Sequence, residues 1–542
     1  MRVLFWLLFC ALVAVRVPSL AQPAGADQGL YAYVGQRILA GEVPYRDAWD
    51  QKSPAIHYTY AAMYALWPGD GDAVVATTDL IVAVATALLL LALGRRLGHS
   101  FTNTIEGGSW CGGIAALLFL LYTNPALTRL GGVRIRGQCE VFIALAVTAA
   151  FLLLLRACRA AAERGRVPAS PVFAAGALFG LAFLYKYNAG AYLVVGILAL
   201  VLWRDDEDPD PEPFLMRARE ALAPAFALIA GFALIVGAAA ALFHLAGAFD
   251  DLYDATIAYN MFYSGETYRS PLHVIGYLLT FPILHAGLDA LWFLGGLGCA
   301  VLLFAGLQVP ARWVAPLWVA AACVSIAVNG SRGLPQYFLQ AGPPMALAAG
   351  WGAVLVWHRT TPIARIVLIA LLSIGAARVT SFDKAIDYTA YDVRAWTGAL
   401  TREQYLSRFG ERASGDKYSA LAIHELAQHL RANVPADQRV LLFGFSPGAL
   451  VQSQRVSATR FFWSRPVIVG FNEGKPGYGV TGLIEELDRH RPVEVILQQH
   501  DWDPDGPDSS TYFLGQPRLA EWLRTHYEPS GELGNFLLYR KR

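Results

Sequence analysis

The sequence has little charge for its length. Only 16% of its 542 residues are Asp, Glu, Lys or Arg, and the formal net charge is +1. No long basic run offsets this balance, so the chain lacks the electrostatic footprint of a nucleic-acid-binding protein. We therefore expect no nucleic acid among its partners.

The six cysteines show neither the spacing of metal ligands nor that of a disulfide framework. Each lies in or at the edge of an apolar segment, where a thiol behaves as a small buried hydrophobic group. The sequence also contains no repeat with the period of a solenoid or a propeller. We predict no zinc site and no disulfide scaffold.

Long apolar runs are abundant. Hydrophobic residues make up 55% of the chain, and the mean hydropathy is +0.40. A helix of about 20 apolar residues crosses a bilayer, and the sequence contains about eleven candidate runs. They cover approximately residues 3–20, 73–94, 109–123, 138–156, 171–185, 189–203, 222–246, 288–307, 313–329, 338–357 and 363–379. The predicted fold class is a polytopic α-helical membrane protein with about 11 transmembrane helices.

The chain changes character after residue 379. Short apolar segments such as VLLFGF and VEVILQQ alternate there with helix-like segments such as SALAIHELAQHLRANV. Alternating strands and helices are typical of an α/β domain. We predict a transmembrane domain over residues 1–379 and a C-terminal soluble α/β domain over residues 380–542.

Two short motifs have ordinary structural explanations. Gly444 to Gly448 matches the G-x-S-x-G nucleophile elbow, but Pro447 has no N–H to donate to an oxyanion. A turn from a strand into a helix, with Pro447 near the helix start, explains this segment better. Gly176 and Gly180 form a G-x-x-x-G pattern, for which ordinary helix packing is favoured over a dimerisation face.

Arginine is enriched in the loops after the second, fourth and sixth predicted spans. Because basic loops stay on the cytoplasmic side, the loops 21–72 and 247–287 and the C-terminal domain are predicted to be external. The end of the first span, Ser19-Leu20-Ala21, also resembles a signal-peptide cleavage site, and cleavage would leave about ten spans. We favour an uncleaved first helix, because it anchors the loop that follows.

The loop between the first two predicted spans is rich in charge. Within residues 25–54 it holds side chains that would be costly beside lipid without partners. They are Asp27, Glu42, Arg46, Asp47, Asp50 and Lys52. We expect these charges to face water, one another or an ionic substrate.

The segment after this loop has an aromatic helix face. The sequence PAIHYTYAAMYALW places four side chains at helical spacing on one side. They are His57, Tyr60, Tyr64 and Trp67. An aromatic anchor at the level of the lipid headgroups is the simpler interpretation.

Two further ionic groups lie in predicted external loops. One comprises Arg134, Arg136 and Glu140, where the third span leads into the fourth, and the other is Lys186, in the turn between the fifth and sixth. A pocket with carboxylates and cations suits a phosphate-bearing substrate, because cations neutralise the phosphate and a carboxylate takes a proton from an attacking hydroxyl. Contact with lipid headgroups is the alternative explanation for each single cation.

Several segments together resemble a known family. They are DQGLYAYVGQRILAGEVPYRDAWDQKSP in the first loop, LYTNP in the second external loop, FLYKYN around Lys186, and LPQYFLQAGPP at residues 334–344. The chain resembles the C-type (GT-C) membrane glycosyltransferases, specifically the bacterial branch similar to protein mannosyltransferases and lipid A aminoarabinose transferases. The resemblance covers most of the predicted transmembrane domain.

The resemblance implies an inner-membrane enzyme that transfers a sugar from a polyprenyl-phosphate donor, with inversion, at the periplasmic face. The acceptor is a lipid, a glycan or a protein. Asp27 matches the family aspartate that acts as general base, and Glu140 matches an acidic residue that assists or binds a cation. The substrate-binding residues implied are Lys52, which would hold the carrier phosphate, with Asp50, Tyr45, Arg134, Arg136, Lys186, His57, Gln336 and Tyr337.

Two positions depart from the family pattern. Gln28 follows Asp27 where many relatives have a glutamate, so a metal held by an acidic pair is not implied. The prediction is no certain cofactor, with a divalent cation as the open alternative. Gln336 precedes Tyr337 where relatives often have a histidine, which leaves a hydrogen-bond donor but no titrating group.

A multi-pass transporter or flippase of lipid-linked or small polar substrates is the alternative function. Such a protein would carry ionisable residues near the membrane midplane and two related halves. The predicted spans are almost free of charge at their centres, and the halves do not match. A non-catalytic scaffold is a third class, but it gives no reason for acids and bases to concentrate in one loop. We therefore expect a glycosyltransferase.

Overall fold

The computed structural model forms two compact units. The helical unit comprises Met1–Ser19, Thr78–Leu242 and Phe262–Ala390, and the sheet unit comprises Leu20–Thr77, Phe243–Met261 and Tyr391–Arg542. The residues that the structure describes are 2–67, 71–102, 105–127, 135–164, 166–203, 213–268, 270–307, 309–380, 382–410, 418–502 and 506–542.

Long apolar helices build most of the chain. Seven described segments are long and apolar enough to cross a membrane, or eight when a bent helix pair counts as one span. The seven are Arg2–Ala21, Gly71–Leu97, Cys139–Ala161, Leu222–Leu245, Pro310–Val328, Pro335–Arg359 and Pro362–Val379. The bent pair is Pro271–Ala286 and Ala290–Gly306, at 113°. The predicted polytopic fold class is confirmed.

The predicted number of about eleven spans is not confirmed. Three of the predicted runs form shorter apolar helices, Gly107–Tyr122, Ala169–Tyr185 and Tyr187–Leu202. At 1.5 Å per residue, each falls short of the roughly 30 Å of a typical hydrocarbon core. The apolar pattern therefore located these helices correctly but did not show that each one crosses the bilayer.

The helical unit consists of α-helices joined in places by short 3₁₀ segments. The helices that lie wholly or mostly in this unit are Arg2–Arg16, Gly71–Thr102, Ile105–Tyr122, Cys139–Arg164, Ala169–Tyr185, Ala191–Leu202, Phe214–Glu220, Leu222–Leu245, Pro271–Ala286, Ala290–Gly306, Val314–Val328, Gly342–Arg359, Pro362–Val379 and Phe382–Trp396. Short 3₁₀ segments are Val17–Ala21, Tyr187–Gly190, Pro310–Trp313 and Pro335–Ala341.

Small residues let neighbouring helices approach closely. A Cβ added at Gly176 would collide with the backbone carbonyl of Leu228, and one at Gly180 would lie 2.8 Å from the carbonyl oxygen of Phe232. Both glycines therefore face the helix Leu222–Leu245 inside the same unit. The preference for ordinary helix packing at this G-x-x-x-G pattern is confirmed.

A five-stranded sheet forms the core of the sheet unit. Its strands are β1 (Arg439–Phe443), β2 (Val456–Ser457), β3 (Glu494–Gln498), β4 (Tyr527–Leu533) and β5 (Phe536–Lys541), in the order β2-β1-β3-β5-β4. The β1 strand pairs in parallel with β2 and β3, with Leu442 opposite Ile496, whereas β5 runs antiparallel to β3 and β4. The predicted C-terminal α/β fold is confirmed.

Short helices surround the sheet and form the remainder of this unit. They are Ala26–Leu39, Pro54–Leu66, Phe249–Tyr253, the π-helical turn Asp254–Ala258, the start of Tyr259–Gly265 as far as Met261, Arg402–Leu406, the 3₁₀ turn Ser407–Phe409, Ala420–Asn433, Gly448–Ser453, Arg465–Ile468, Gly479–His490, Ser509–Gly515 and Pro517–His526. Pro447 occupies the N-cap position of Gly448–Ser453, as the turn interpretation predicted. The Ser446 side chain is buried beneath this turn.

Candidate functional site

Asp27, the first acidic residue of the charged first loop, lies at the N-terminal end of a helix. Asp27 lies half-buried in the first turn of Ala26–Leu39, where the helix dipole stabilises a carboxylate. The helix is held closely, because a Cβ added at Gly29 would lie 2.8 Å from the backbone nitrogen of Gly448. Close packing of backbone on backbone fixes the direction in which this helix presents its first turn.

Asp50 and His57 form a fully buried pair in the same unit. Asp50 Oδ2 lies 3.4 Å from His57 Nε2, and both side chains are 0% exposed. Burial raises the pKa of the Asp50 carboxyl to about 7; the charge of Asp27 adds to the rise, and Lys52 opposes it. Burial lowers the pKa of His57 to about 3. Burial therefore disfavours the charged form of each group, and the substrate-binding role predicted for Asp50 and His57 stays a prediction.

A tight turn holds Lys52 in place. Tyr45 has a positive φ of 72°, and its N–H donates to the Ala48 carbonyl at 2.8 Å. Its hydroxyl donates to the backbone carbonyl of Lys52, also at 2.8 Å. The Lys52 side chain is partly exposed, which suits a cation that meets an anionic group.

The aromatic face after the loop is turned into the protein. His57, Tyr60 and Tyr64 are buried on the helix Pro54–Leu66, and Trp67 is 56% exposed. The prediction of an aromatic anchor at the headgroups is therefore wrong for three of the four side chains. Tyr31 and Tyr45 pack edge-on against the His57 ring instead, with ring centroids 6.2 and 5.8 Å away.

Glu140, Lys186 and Tyr337 come together in the helical unit. Lys186 Nζ lies 2.5 Å from Glu140 Oε1 and 4.3 Å from the centre of the Tyr337 ring. Glu140 is fully buried at the start of Cys139–Arg164, and its Oε2 accepts no hydrogen bond from the described residues. Breaking such a pair would leave an uncompensated buried charge. Gln336 precedes Tyr337 in the 3₁₀ segment and is also buried.

Arg136 is anchored to the end of the first helix. Its guanidinium donates to the Ser19 carbonyl at 2.6 Å and to the Ser19 hydroxyl. Arg134 lies outside the described residues. The roles predicted for these two arginines in phosphate binding stay predictions.

A small, mostly apolar cavity with two charged lining residues in the helical unit was not predicted. It has a volume of about 30 Å³, and its charged lining residues are Arg16 and Asp79. Arg16 donates to the carbonyls of Leu120 and Thr123, at 3.2 and 3.0 Å, and Asp79 accepts from the Gly137 N–H at 3.0 Å. A charged residue near the end of an apolar run is the sequence signal that could have located this cavity.

No group of three or more His, Cys, Asp and Glu side chains has metal-binding geometry within the described ranges. Asp27 and Asp50 belong to the sheet unit, whereas Glu140 belongs to the helical unit. The alternative of a divalent cation at Asp27 or Glu140 stays a prediction.

Two solved structures share the fold over nearly the whole chain. The apo structure of ArnT from Cupriavidus metallidurans matches with a TM-score of 0.58 and 12% identity, covering 99% of this chain and 98% of that one. ArnT from the same organism bound to undecaprenyl phosphate matches with a TM-score of 0.57 and 14% identity, covering 99% and 97%. The chain has the ArnT fold. No protein-family model matches the sequence, and neither does any curated protein.

ArnT is a GT-C glycosyltransferase, an aminoarabinose transferase. The resemblance found in the sequence motifs is thus confirmed at the level of the fold. Together with its apolar helices, this fold makes the chain an integral multi-pass membrane protein.

Proposed function

We propose that the chain is a membrane glycosyltransferase that moves a sugar from a polyprenyl-phosphate donor to an acceptor at the periplasmic face of the inner membrane. The observation that carries the proposal is the fold shared over 99% of the chain with ArnT bound to undecaprenyl phosphate. The charged first loop, with Asp27 and Lys52, supplies residue types that this chemistry needs.

Asp27 is the proposed general base. Its carboxylate takes the proton of an acceptor hydroxyl, the oxygen attacks the anomeric carbon from the side opposite the phosphate, and the configuration inverts. The bond between the anomeric carbon and the phosphate oxygen breaks, and the polyprenyl phosphate leaves with the bonding electrons. Asp50 is the poorer candidate, because its side chain is fully buried.

Lys52 is the proposed partner of the carrier phosphate. A phosphate leaves as a stable anion, so a cation beside it lowers the barrier by stabilising negative charge that develops in the transition state. The hydrogen bond from Tyr45 to the Lys52 carbonyl fixes the backbone from which this cation extends.

Glu140 is proposed to assist the reaction by holding Lys186. Their separation of 2.5 Å and the ring of Tyr337 beside the ammonium fix Lys186 in one position. A buried carboxylate whose charge is neutralised in this way is suited to orient a cation. It is less suited to remove a proton from an acceptor.

A glycosyltransferase transfers the sugar from its lipid carrier, whereas a flippase moves the intact lipid-linked sugar across the bilayer, and one experiment distinguishes the two. Purified protein in lipid vesicles is incubated with radiolabelled polyprenyl-phosphate sugars and a membrane extract as acceptor. We expect the label to move from the carrier to a new product. Label that crosses the bilayer while still attached to its carrier, with no new product, would contradict the proposal.

A further inference from the structure

Trp49 lies between the charged residues of the first loop and the C-terminal α/β domain. Its side chain is 0% exposed. Its backbone N–H donates to the Arg460 carbonyl at 2.9 Å, and its own carbonyl accepts from the Trp463 indole N–H at 3.1 Å. The backbone N–H and the backbone carbonyl of Trp49 are therefore both hydrogen-bonded to residues more than 400 positions later in the chain.

The Trp49 ring fills an aromatic pocket of the same unit. Its centroid lies 5.0 Å from that of Tyr259, 5.8 Å from Phe461, 6.0 Å from Trp463 and 6.1 Å from Phe471. The Trp49 indole N–H makes no hydrogen bond to the residues that the structure describes. Ring packing and the two backbone hydrogen bonds therefore hold this residue.

The residues after Trp49 are held one by one. The Gln51 carbonyl accepts from the Asn260 side chain at 2.7 Å, and the Lys52 carbonyl accepts from Tyr45 at 2.8 Å. Asn260 belongs to the segment Phe243–Met261, and Tyr45 belongs to the first loop itself. Within this stretch, Trp49 is bonded to the C-terminal domain through Arg460 and Trp463.

The C-terminal side of this contact is itself firmly fixed. The Arg460 N–H donates to Glu486 at 2.7 Å, and its guanidinium donates to Asp251 at 3.1 Å and to the Gly477 carbonyl at 2.8 Å. The N–H of Ser464 donates to the Gly444 carbonyl at 3.1 Å, just beyond the end of β1. A rigid support makes the geometry of a residue bound to it reproducible.

We infer that Trp49 is a positioning residue through which the C-terminal α/β domain holds the first loop in its working geometry. The domain thereby acquires a role in the reaction, because Lys52 lies only three residues after Trp49. The consequence for turnover rests on the proposed function, whereas the contact itself does not.

Trp463→Phe tests this inference, because it removes the hydrogen bond to the Trp49 carbonyl while an aromatic ring stays in the pocket. Trp522→Phe is the matched control, since it removes a hydrogen bond from an indole N–H to Asp488 at 2.7 Å in the same domain. Both full-length variants are studied in lipid nanodiscs. Hydrogen–deuterium exchange over residues 45–52 reports on the loop, and kcat and KM for a polyprenyl-phosphate sugar report on the reaction.

We expect Trp463→Phe to speed exchange over residues 45–52 and to lower kcat about tenfold, with KM changed less than about twofold. Trp522→Phe should match wild type in both measurements. Unchanged exchange in Trp463→Phe would overturn the inference whatever the activity, and faster exchange with wild-type kcat would overturn the role in catalysis. Trp49→Phe, which keeps the backbone bonds and shrinks the ring, should give the same signature more weakly.

A wild-type protein that transfers no sugar would contradict the proposed function and leave the exchange measurement to decide the contact. The two failures are therefore distinguishable.

Discussion

Asp50 and His57 lie 3.4 Å apart with fully buried side chains, and burial favours the neutral form of each. Asp47, three residues before Asp50, has the opposite behaviour. Burial raises its pKa, but hydrogen bonds from Arg46 and from the Val43 N–H outweigh burial and lower it. Two carboxyls of one loop therefore respond oppositely because their partners and burial differ.

The raised pKa of Asp50 predicts a pH-dependent stability. Between the unfolded pKa near 4 and the folded pKa of about 7, the folded protein binds more protons than the unfolded chain, so its stability falls as pH rises. The contribution lost between pH 5 and pH 7 is roughly 2 kcal/mol. Asp50→Asn removes this titration. Its Tm relative to wild type should rise as the pH increases from 5 to 8.

Thermal unfolding in detergent at several pH values measures this difference, with Asp47→Asn as the control from the same loop. A Tm difference between Asp50→Asn and wild type that is constant over this range would show that Asp50 does not titrate there.

The sequence showed which charged residues lie in the first loop, but it did not show how deeply their side chains are buried or which residues they contact. The charges of the first loop were expected to face water, one another or an ionic substrate, and Arg37 with Glu42 and Arg46 with Asp47 face one another at 3.0 and 2.8 Å. The burial of Asp50 and His57 was not predicted, because burial depends on Tyr31, Tyr45 and Tyr60, which the fold brings around them. The contacts of Trp49 were not predicted for the same reason, because its partners Arg460 and Trp463 lie far along the chain.

At the scale of elements, apolar runs predicted most membrane helices but missed Pro271–Ala286. Residues 247–287 were expected to form a loop, and this helix occupies part of them. Its apolar run is interrupted by His273, Pro282 and His285, which lowers the hydropathy of any window. This helix meets Ala290–Gly306, which corresponds to the predicted run 288–307, at a bend of 113°, so the two do not form one straight span.

Strands were predictable where they are buried. The apolar segments before Gly444 and around Glu494–Gln498 became β1 and β3, whose residues are almost all buried. The edge strand β4 was missed because its sequence, YEPSGEL, contains proline and glycine and is mostly exposed. Tertiary pairing with β5, rather than local propensity, determines this strand.

Close helix packing at Gly176 predicts a clear mutational effect. Gly176→Ala places a Cβ against the backbone carbonyl of Leu228, which cannot move without shifting its helix. We expect a loss of about 1–3 kcal/mol of stability. Gly237→Ala is the control on the facing helix, since no described atom beyond the local backbone of that helix lies within 4 Å of the added Cβ. It should leave Tm unchanged or raise it.

Thermal unfolding of the two variants in the same detergent gives this comparison. Equal Tm values for Gly176→Ala and Gly237→Ala would contradict the close approach of the two helices.

At the scale of the whole molecule, the arrangement of segments agrees with the predicted topology. The first loop, Phe243–Met261 and the C-terminal region share the sheet unit, as a common side of the membrane requires. Which side this is stays a prediction from the distribution of arginine. The boundary at residue 379 also stays a prediction, since the sheet unit includes the first loop.

Asp27→Asn tests the central claim most directly, because asparagine keeps the shape of the side chain but cannot accept the proton. Asp47→Asn is the matched control, a carboxylate of the same loop that is bonded to Arg46 and to the Val43 N–H. The measurement is the rate of sugar transfer from a radiolabelled polyprenyl-phosphate donor by each purified, folded variant. The account predicts a loss of at least about 100-fold for Asp27→Asn and a near wild-type rate for Asp47→Asn. Transfer by Asp27→Asn at the wild-type rate would contradict it.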